Sequence, residues 1–261
     1  MANSLIRVAK SGNDWTMNDV EAFHIELHRQ DPTAFFGVHP LPPPGVDPEL
    51  INTLEARDMV KDQHAELIAL LDLAMAHRIG EPAVVDFAVE LFKTLGYVKR
   101  LRVARTGKEI SLVICGERRV VRCDACIINE DGDIVLLFQE DRSMEEGVSG
   151  NVGNARPQLI AQAIALFTQI NWRRKMAGLE PFTEKVIPGI TMAGSVPTFF
   201  QIPVSEELAS HVCHGLYPPQ ATKVTYYPSS LPRRFREGMK SIENRRHILS
   251  CFEAFKPIVG L

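Results

Sequence analysis

The sequence predicts an α+β fold in which a central mixed or antiparallel sheet is flanked by helices and carries an N-terminal helical extension. Two observations lead to this class. Apolar residues recur at helical spacing on either side of the middle of the chain, and short apolar runs separated by turns fill the stretch between them. Helix, strands and helix in that order are typical of a sheet covered by helices.

Residues 1–80 are predicted to form the helical extension. An apolar stripe from Val20 to Leu27 has the spacing of one helix face, and leucines over residues 48–79 repeat that spacing. Between them, residues 31–48 hold six prolines and two glycines, a composition that excludes a long helix or a central strand. Because these stripes are too short for a core of their own, we expect the extension to pack on the rest of the protein.

Residues 81–261 are predicted to form the core, with a basic helix at its end. A helix with one apolar side ends at Gly96, and a second helix with a broad apolar side begins at Pro157. Strand-like runs lie between these helices, and strands and helices share the last third of the chain. The predicted strands span residues 98–105, 109–116, 118–128, 134–140, 186–195, 198–205 and 222–228, and the last two helices span 206–215 and about 233–255.

Composition places the chain among ordinary globular proteins. It has 261 residues, of which 45% are hydrophobic and 23% charged, and its formal net charge is −3. No charged and then apolar leader opens the chain, and no apolar run approaches the ~20 residues needed to span a bilayer. We therefore expect an intracellular protein, cytoplasmic or nuclear, without a membrane partner. The composition leaves its oligomeric state open.

The five cysteines are scattered and odd in number, which favours small core residues in a reducing compartment. Cys123 and Cys126 have the CxxC spacing of zinc and redox sites. Because side chains three residues apart on a strand point to opposite faces, we expect these two thiols to lie apart.

A hairpin between the third and fourth predicted strands carries acidic residues on both arms. Asp124 precedes the turn and Glu140 follows it, and the length of the loop decides which residues face each other. A two-residue loop would place Asp124 opposite Gln139, and a three-residue loop would place it opposite Glu140. We favour the three-residue loop, residues 131–133, because it brings Asp124, Glu140 and Arg142 to one face of the sheet.

Two carboxylates that face each other at roughly 5 Å repel unless a cation lies between them. Mg²⁺ or Mn²⁺ would meet that need, because hard divalent cations prefer oxygen ligands. The alternative from the residues alone is an ordinary cross-strand ion pair of Asp124 with Arg142 or Arg122.

This arrangement resembles the PD-(D/E)XK nuclease-like superfamily across about residues 81–172. The resemblance rests on an acid near the start of a helix, an Asp on one strand, a Glu-x-basic pattern on the next strand and a helix that begins near a Gln. The chain is also similar, over most of its length, to uncharacterised proteins of mushroom-forming fungi in which QEDK precedes a PQLIAEAI-like helix. The matching residues here are Glu81, Asp124, Glu140, Arg142 and Gln158.

The resemblance implies a restriction-endonuclease-like core and a divalent-metal-dependent hydrolysis of phosphodiester bonds in nucleic acid. Asp124, Glu140 and the carbonyl of Asp141 would hold Mg²⁺ or Mn²⁺. Glu81 would point at the sheet from the start of its helix, and Gln158 would complete the catalytic set.

Two positions leave alternatives open. Arg142 stands where the superfamily has a lysine, and it keeps the charge but offers a planar fork that does not deprotonate. Asp86 or Glu90 would replace Glu81 if the helix begins later. One rival interpretation is therefore a catalytically inactive protein of nuclease fold that binds nucleic acid or another partner. Another is a metal-dependent enzyme that acts on a different substrate.

Basic residues are concentrated near the end of the chain. Residues 223–256 hold eight Lys or Arg against three Glu, and residues 172–175 read Trp-Arg-Arg-Lys. On the nuclease interpretation these segments contact the phosphate backbone, and three aromatic side chains stack on bases, namely Trp172, Tyr226 and Tyr227. The alternative for the terminal segment is a solvated amphipathic helix.

Overall fold

The structure, a computed structural model, describes residues 6–76, 83–144 and 154–261. At its centre lies a seven-stranded sheet with both parallel and antiparallel pairs, and helices cover its two faces. The predicted α+β class with a central mixed sheet is therefore confirmed. Among the described helices, none combines the length and the apolar composition that a bilayer span requires.

The described helices and strands follow one another along the whole chain. The helices are α1 (Met17–Ala22), α2 (Pro32–Phe36), α3 (Pro48–Asn52), α4 (Asp62–Ala74), α5 (Ala83–Thr94), α6 (Ala155–Met176), α7 (Glu206–His214) and α8 (Ile242–Val259). The strands are β1 (Ile25–Arg29), β2 (Val103–Ile114), β3 (Glu117–Ile128), β4 (Ile134–Glu140), β5 (Glu184–Ala193), β6 (Val196–Ser205) and β7 (Thr222–Pro228).

The strand order across the sheet is β1-β7-β6-β5-β4-β3-β2. Strands β2, β3 and β4 form an antiparallel meander, and α6 then crosses to β5, which runs parallel to β4. The pairs β5–β6 and β6–β7 are antiparallel, and β1 lies parallel to β7 at the edge. Gln162 of α6 hydrogen-bonds Gln139, so the early turns of α6 lie beside the carboxyl end of β4.

Two apolar clusters fill the two faces of the sheet. On one face, helices α2–α5 and α8 pack around Phe92, whose ring meets those of Phe138 and Phe252 edge to face. On the other face pack α1, α6 and α7. A Cβ at Gly189 of β5 would lie 2.9 Å from a methyl carbon of Leu159, so the close approach of α6 to the sheet depends on glycine there.

The N-terminal extension contributes a strand as well as helices. The helix predicted to include residues 20–27 ends at Ala22, and His24 takes a left-handed conformation with φ 52°. The chain then continues as β1, which pairs with β7. The prediction of helix beyond Ala22 is wrong, because the partner that makes residues 25–29 a strand lies far away in the sequence.

Three other predictions also differ from the observed elements. Within the described residues 48–76, the predicted helix is divided into α3, a 3-10 turn (Ala56–Asp58) and α4. The strands predicted over residues 98–105 and 109–116 are one strand, β2, which begins at Val103. The last helix begins at Ile242 rather than near residue 233, because the Ser241 hydroxyl caps it. The other predicted strands and the helix α7 are confirmed within a few residues.

A buried arginine ties the extension to the core. Arg245 of α8 is 2% exposed, and its guanidinium donates to the carbonyls of Met239, Thr53, Leu50 and Leu54 at 2.8, 2.9, 3.0 and 3.3 Å. Burial lowers the pKa of Arg245 to about 10, so the side chain remains charged at neutral pH. One side chain of the last helix therefore holds the segment that follows α3. The predicted boundary near residue 80 lies outside the described residues.

Candidate active site

Asp124 lies at an irregular point in the pairing of β2 with β3. Pairing is regular on both sides of this point, but Gly107 and Asp124, which would face each other, do not enter the ladder. Gly107 has φ 60°, and the Arg122 guanidinium covers it, since a Cβ there would lie 2.5 Å from Nη2. Because of this interruption, the direction of the Asp124 side chain does not follow the regular alternation between the two faces of the sheet.

The same interruption changes which side chains share a face. Cys123 and Cys126 lie on either side of Asp124 in the chain, yet both belong to the apolar cluster under α6. The prediction that these thiols point to opposite faces is wrong, because strict alternation does not continue through residue 124. Both thiols are free and buried.

The register of the hairpin differs by one residue from the favoured one. The turn spans residues 129–133, whose ends are joined by a backbone hydrogen bond of 2.9 Å, and a bulge interrupts the pairing at residues 127–128. Together these features place Asp124 level with Gln139. The prediction that Asp124 directly faces Glu140 is wrong, because the bulge adds a shift that the loop length alone does not reveal.

Asp124 accepts two hydrogen bonds through one oxygen. Its Oδ2 lies 2.6 Å from the Gln139 side-chain Nε2 and 2.8 Å from the Glu140 backbone N, and both groups donate. The carboxylate thus accepts the Glu140 N–H in place of a backbone carbonyl, at the point where the pairing of β3 with β4 ends. Burial raises the pKa of the Asp124 carboxyl, although the Glu140 N–H and the charges of Arg142 and Arg122 act in the opposite direction.

Glu140 ends β4 and is 7% exposed. Side chains of β4 alternate between the two clusters, with Phe138 on the side of α5, so alternation directs Gln139 towards α6 and Glu140 towards the opposite face. Arg142 Nε donates to Glu140 Oε2 at 3.3 Å, and the charge of Arg142 also acts on Asp124. Arg142 therefore contacts Glu140 directly and acts on Asp124 only through its charge.

Asp141 continues the pairing of β4 with β5 by one residue. Its backbone N–H donates to the Met192 carbonyl at 2.8 Å, and its carboxylate accepts from the Ser143 N–H at 3.0 Å. The side chain is therefore used in the following turn. The group predicted to face a metal is the backbone carbonyl of Asp141, next to Glu140 in the chain.

The acids predicted at the start of α5 are only partly visible. Glu81 lies outside the described residues. Of its two alternatives, Asp86 is exposed, and Glu90 pairs with Lys93 at 2.9 Å on the surface of the helix. Neither alternative is bound to Asp124 or Glu140 by a hydrogen bond in the described part of the chain.

Two glutamines one turn apart connect α6 to the rest of the fold. Gln158, the predicted catalytic glutamine, donates to the Asn13 carbonyl at 2.7 Å. Gln162 is fully buried and donates to the Gln139 Oε1 at 2.6 Å. Because Gln139 in turn donates to Asp124, the glutamine that belongs to the Asp124 network is Gln162, which the sequence interpretation did not select.

The two strands that contain Asp124 and its pairing gap are rich in basic residues. Residues 99–122, which include the loop before β2, β2 itself and the first half of β3, contain eight Lys or Arg and two Glu, a local charge of +6. Six of the eight are exposed and two are half-buried. They are Lys99, Arg100, Arg102, Arg105, Lys108, Arg118, Arg119 and Arg122. We call this set the β2–β3 basic surface, and its charge would attract a polyanion.

The basic residues near the end of the chain are largely engaged within the fold. Arg245 is buried, Lys240 pairs with Asp72 at 2.8 Å and Lys256 pairs with Glu253. Three of the basic residues near the end of the chain therefore have partners within the protein.

The three aromatic residues predicted to stack on bases differ in exposure. Trp172 is 62% exposed, whereas Tyr226 is half-buried and stacks on Phe200. Tyr227 is 1% exposed and meets Phe36 edge to face, so its predicted stacking on a base is wrong. Its place in β7 puts it inside the core.

The sequence matches no protein-family model, and no curated protein matches it.

Asp124→Asn is expected to stabilise the protein increasingly as pH rises. With a folded-state pKa raised by burial, Asp124 retains a proton that the unfolded chain has released. The wild type therefore loses stability as pH rises from the unfolded pKa of about 3.9 through the folded value, and an uncharged asparagine does not. Urea unfolding of both proteins in chelator, at pH values from about 3.5 to 7, measures the difference. A difference that is constant with pH would contradict this expectation.

Proposed function

We propose that the chain is a nuclease-like protein with a restriction-endonuclease-like core, and that it hydrolyses phosphodiester bonds of nucleic acid with Mg²⁺ or Mn²⁺. The observation that carries the proposal is the placement of two acids beside each other on strands rich in basic residues: Asp124 accepts from the Glu140 N–H, and the Glu140 carboxylate accepts from Arg142. Buried carboxylates are costly for a fold, and perturbed ones cluster at functional sites. The adjacent surface would hold the polyanion that carries the reacting phosphate.

The residues fit a hard divalent cation in the chemistry of their donors. Asp124 and Glu140 offer carboxylate oxygens and Asp141 offers a carbonyl, the ligand types that Mg²⁺ and Mn²⁺ prefer. The raised pKa of Asp124 reflects a negative charge that its surroundings compensate only in part, and a cation would complete that compensation. When bound, such an ion would supply Lewis-acid stabilisation of the charge on a phosphodiester.

The protein's own residues have separate tasks in this proposal. Gln162 orients the amide of Gln139, which in turn holds the Asp124 carboxylate in place. The Arg142 side chain is 58% exposed, so it can donate to a phosphate oxygen while it contacts Glu140. The β2–β3 basic surface would bind the phosphates on either side of the reacting one.

An intracellular setting is part of the same proposal. The five cysteines are free, as expected for a reducing compartment, and a nucleic-acid substrate is available in the cytoplasm and the nucleus.

Arg142→Lys is expected to raise the rate of cleavage by roughly ten- to a hundredfold. Lysine keeps the positive charge near the phosphate, and its compact ammonium can come closer to the attacking water than the planar guanidinium. Initial rates at saturating Mn²⁺ measure the effect, with Arg122→Lys as the matched control because Arg122 also lies near Asp124. Loss of all cleavage in Arg142→Lys would instead show that the fork of the guanidinium is required.

The proposed activity is tested on single-stranded DNA, duplex DNA and RNA, each with Mg²⁺, with Mn²⁺ and with chelator. We expect at least one of these substrates to be cleaved with metal and none with chelator. Cleavage that persists in chelator would contradict the metal requirement and point to a contaminating enzyme.

A second candidate is a nucleic-acid-binding protein of the same fold that does not cleave. It is favoured by one observation: the Asp124 carboxylate accepts two hydrogen bonds and Glu140 pairs with Arg142, so both acids have partners within the protein. This candidate predicts binding of nucleic acid in chelator, steeply weakened by salt, without cleavage in any metal.

A further inference from the structure

A second group of ligand-type side chains lies in the N-terminal extension. Asp47 caps the start of α3, Glu49 lies in its first turn, and His64 lies in the first turn of α4. One ligand atom from each side chain, two carboxylate oxygens and one imidazole nitrogen, lies within 4.8 Å of the other two. The three side chains are 31%, 14% and 12% exposed, in that order. They therefore converge at a partly shielded point between two helices.

Backbone groups hold both carboxylates in position. The Glu49 N–H donates to Asp47 Oδ1 at 2.9 Å, and the Val60 N–H donates to Glu49 Oε1 at 2.5 Å. The second oxygen of Glu49 lies 2.5 Å from His64 Nδ1, and the second oxygen of Asp47 accepts from the Lys61 ammonium. Each acid is thus fixed by one oxygen, while its other oxygen contacts a neighbouring side chain, Lys61 or His64.

We propose that Asp47, Glu49 and His64 form a binding site for Zn²⁺. Zinc accepts imidazole and carboxylate ligands, and a zinc site with three protein ligands keeps a fourth position for water or substrate. The imidazole nitrogen favours zinc over the harder Mg²⁺ and Ca²⁺. Zinc at this point would join the start of α3 to the start of α4 across residues 53–61.

Lys61 indicates that this position stabilises a positive charge. Its ammonium reaches the same Asp47 carboxylate, but its side chain is 60% exposed and flexible, so it can move into solvent when a metal ion takes its place. Lys61 and zinc then compete for Asp47. Removing the ammonium should therefore strengthen zinc binding, an effect that a purely structural ion pair would not show.

Zinc binding is measured on the full-length protein after treatment with chelator, by titration against a chromophoric zinc indicator. We expect the tightest zinc site of the wild type to hold one ion per chain, with at least about tenfold weaker binding at that site in His64→Ala and about tenfold tighter binding in Lys61→Met. The matched control is His28→Ala, which removes another histidine paired with a glutamate, 3.0 Å away, but outside the cluster. Its zinc affinity should equal that of the wild type.

The result that overturns the site is unchanged zinc affinity in His64→Ala, or no zinc binding in both the wild type and Lys61→Met. Circular dichroism checks that each variant is folded. If His64→Ala does not fold, Lys61→Met decides alone: tighter binding supports the site, and unchanged binding rejects it. Mg²⁺ in place of zinc should bind more weakly here, since an imidazole is a poor ligand for it.

Discussion

Asp124→Asn and Glu140→Gln are each expected to remove metal-dependent cleavage, with a loss of about 4 kcal/mol of transition-state stabilisation, or roughly a thousandfold in rate. Each change preserves the size of the side chain and an acceptor oxygen, so the hydrogen bonds to the Gln139 amide and the Glu140 N–H retain acceptors. What is lost is the negative charge that would hold the cation. The measurement is the rate of cleavage of the best substrate at fixed Mn²⁺.

Glu130→Gln is the control for this pair of variants. Glu130 is an exposed acid in the turn of the same hairpin, so its neutralisation changes the net charge equally but leaves the site intact. We expect a rate within about twofold of the wild type. If the Asp124→Asn variant cleaves at the wild-type rate and chelator still stops the reaction, the metal ion is bound elsewhere in the protein.

Arg245→Met is expected to lower the free energy of unfolding by roughly 3–5 kcal/mol, the largest stability effect anticipated for this chain. The methionine fills much of the volume but donates to none of the carbonyls of Leu50, Thr53, Leu54 and Met239, and buried carbonyls without donors are costly. Urea unfolding followed by circular dichroism measures the loss. Limited proteolysis should show earlier cleavage between residues 50 and 61.

Arg246→Met is the matched control, because the neighbouring arginine is exposed and donates to one carbonyl, that of Ile51, at 3.3 Å. It should cost less than about 1 kcal/mol. An equal loss in the two variants would contradict the role assigned to Arg245. Release of a stable, soluble fragment of residues 1–80 by a protease would contradict the expectation that the extension depends on the core.

Local sequence patterns were sufficient to predict most helices and strands, but not the edge strand β1. The apolar stripes of α5 and α6 and the hairpin turn before β4 are each contained in a short window, so the sequence predicts them directly. Strand β1 has five residues, and it is a strand because it pairs with β7 nearly two hundred residues later. Periodicity within a window carries no information about such a partner.

The candidate site was predictable in its residue types but not in its geometry. The residues Asp124, Glu140 and Arg142 belong to one network in the structure. Their register depends on a bulge at residues 127–128 and on the left-handed Gly107, and neither is evident from alternation of apolar and polar residues.

The sequence did not predict Gln162 or the Asp47, Glu49 and His64 group, for different reasons. Gln162 follows Gln158 by one helical turn, so the spacing indicated that both lie on the same side of α6. The Asp47, Glu49 and His64 group contained no such signal, because it forms only when α3 and α4 pack at a particular angle.

The most direct test of the proposed metal site is calorimetric titration of Mn²⁺ into two folded proteins, His64→Ala and the double variant His64→Ala with Asp124→Asn. The His64→Ala background removes a ligand of the second proposed site, so that heat reports on Asp124 and Glu140. We predict one Mn²⁺ bound per chain in His64→Ala and loss of that binding when Asp124→Asn is added. No heat in either protein, or the same heat in both, would contradict a metal ion held by Asp124.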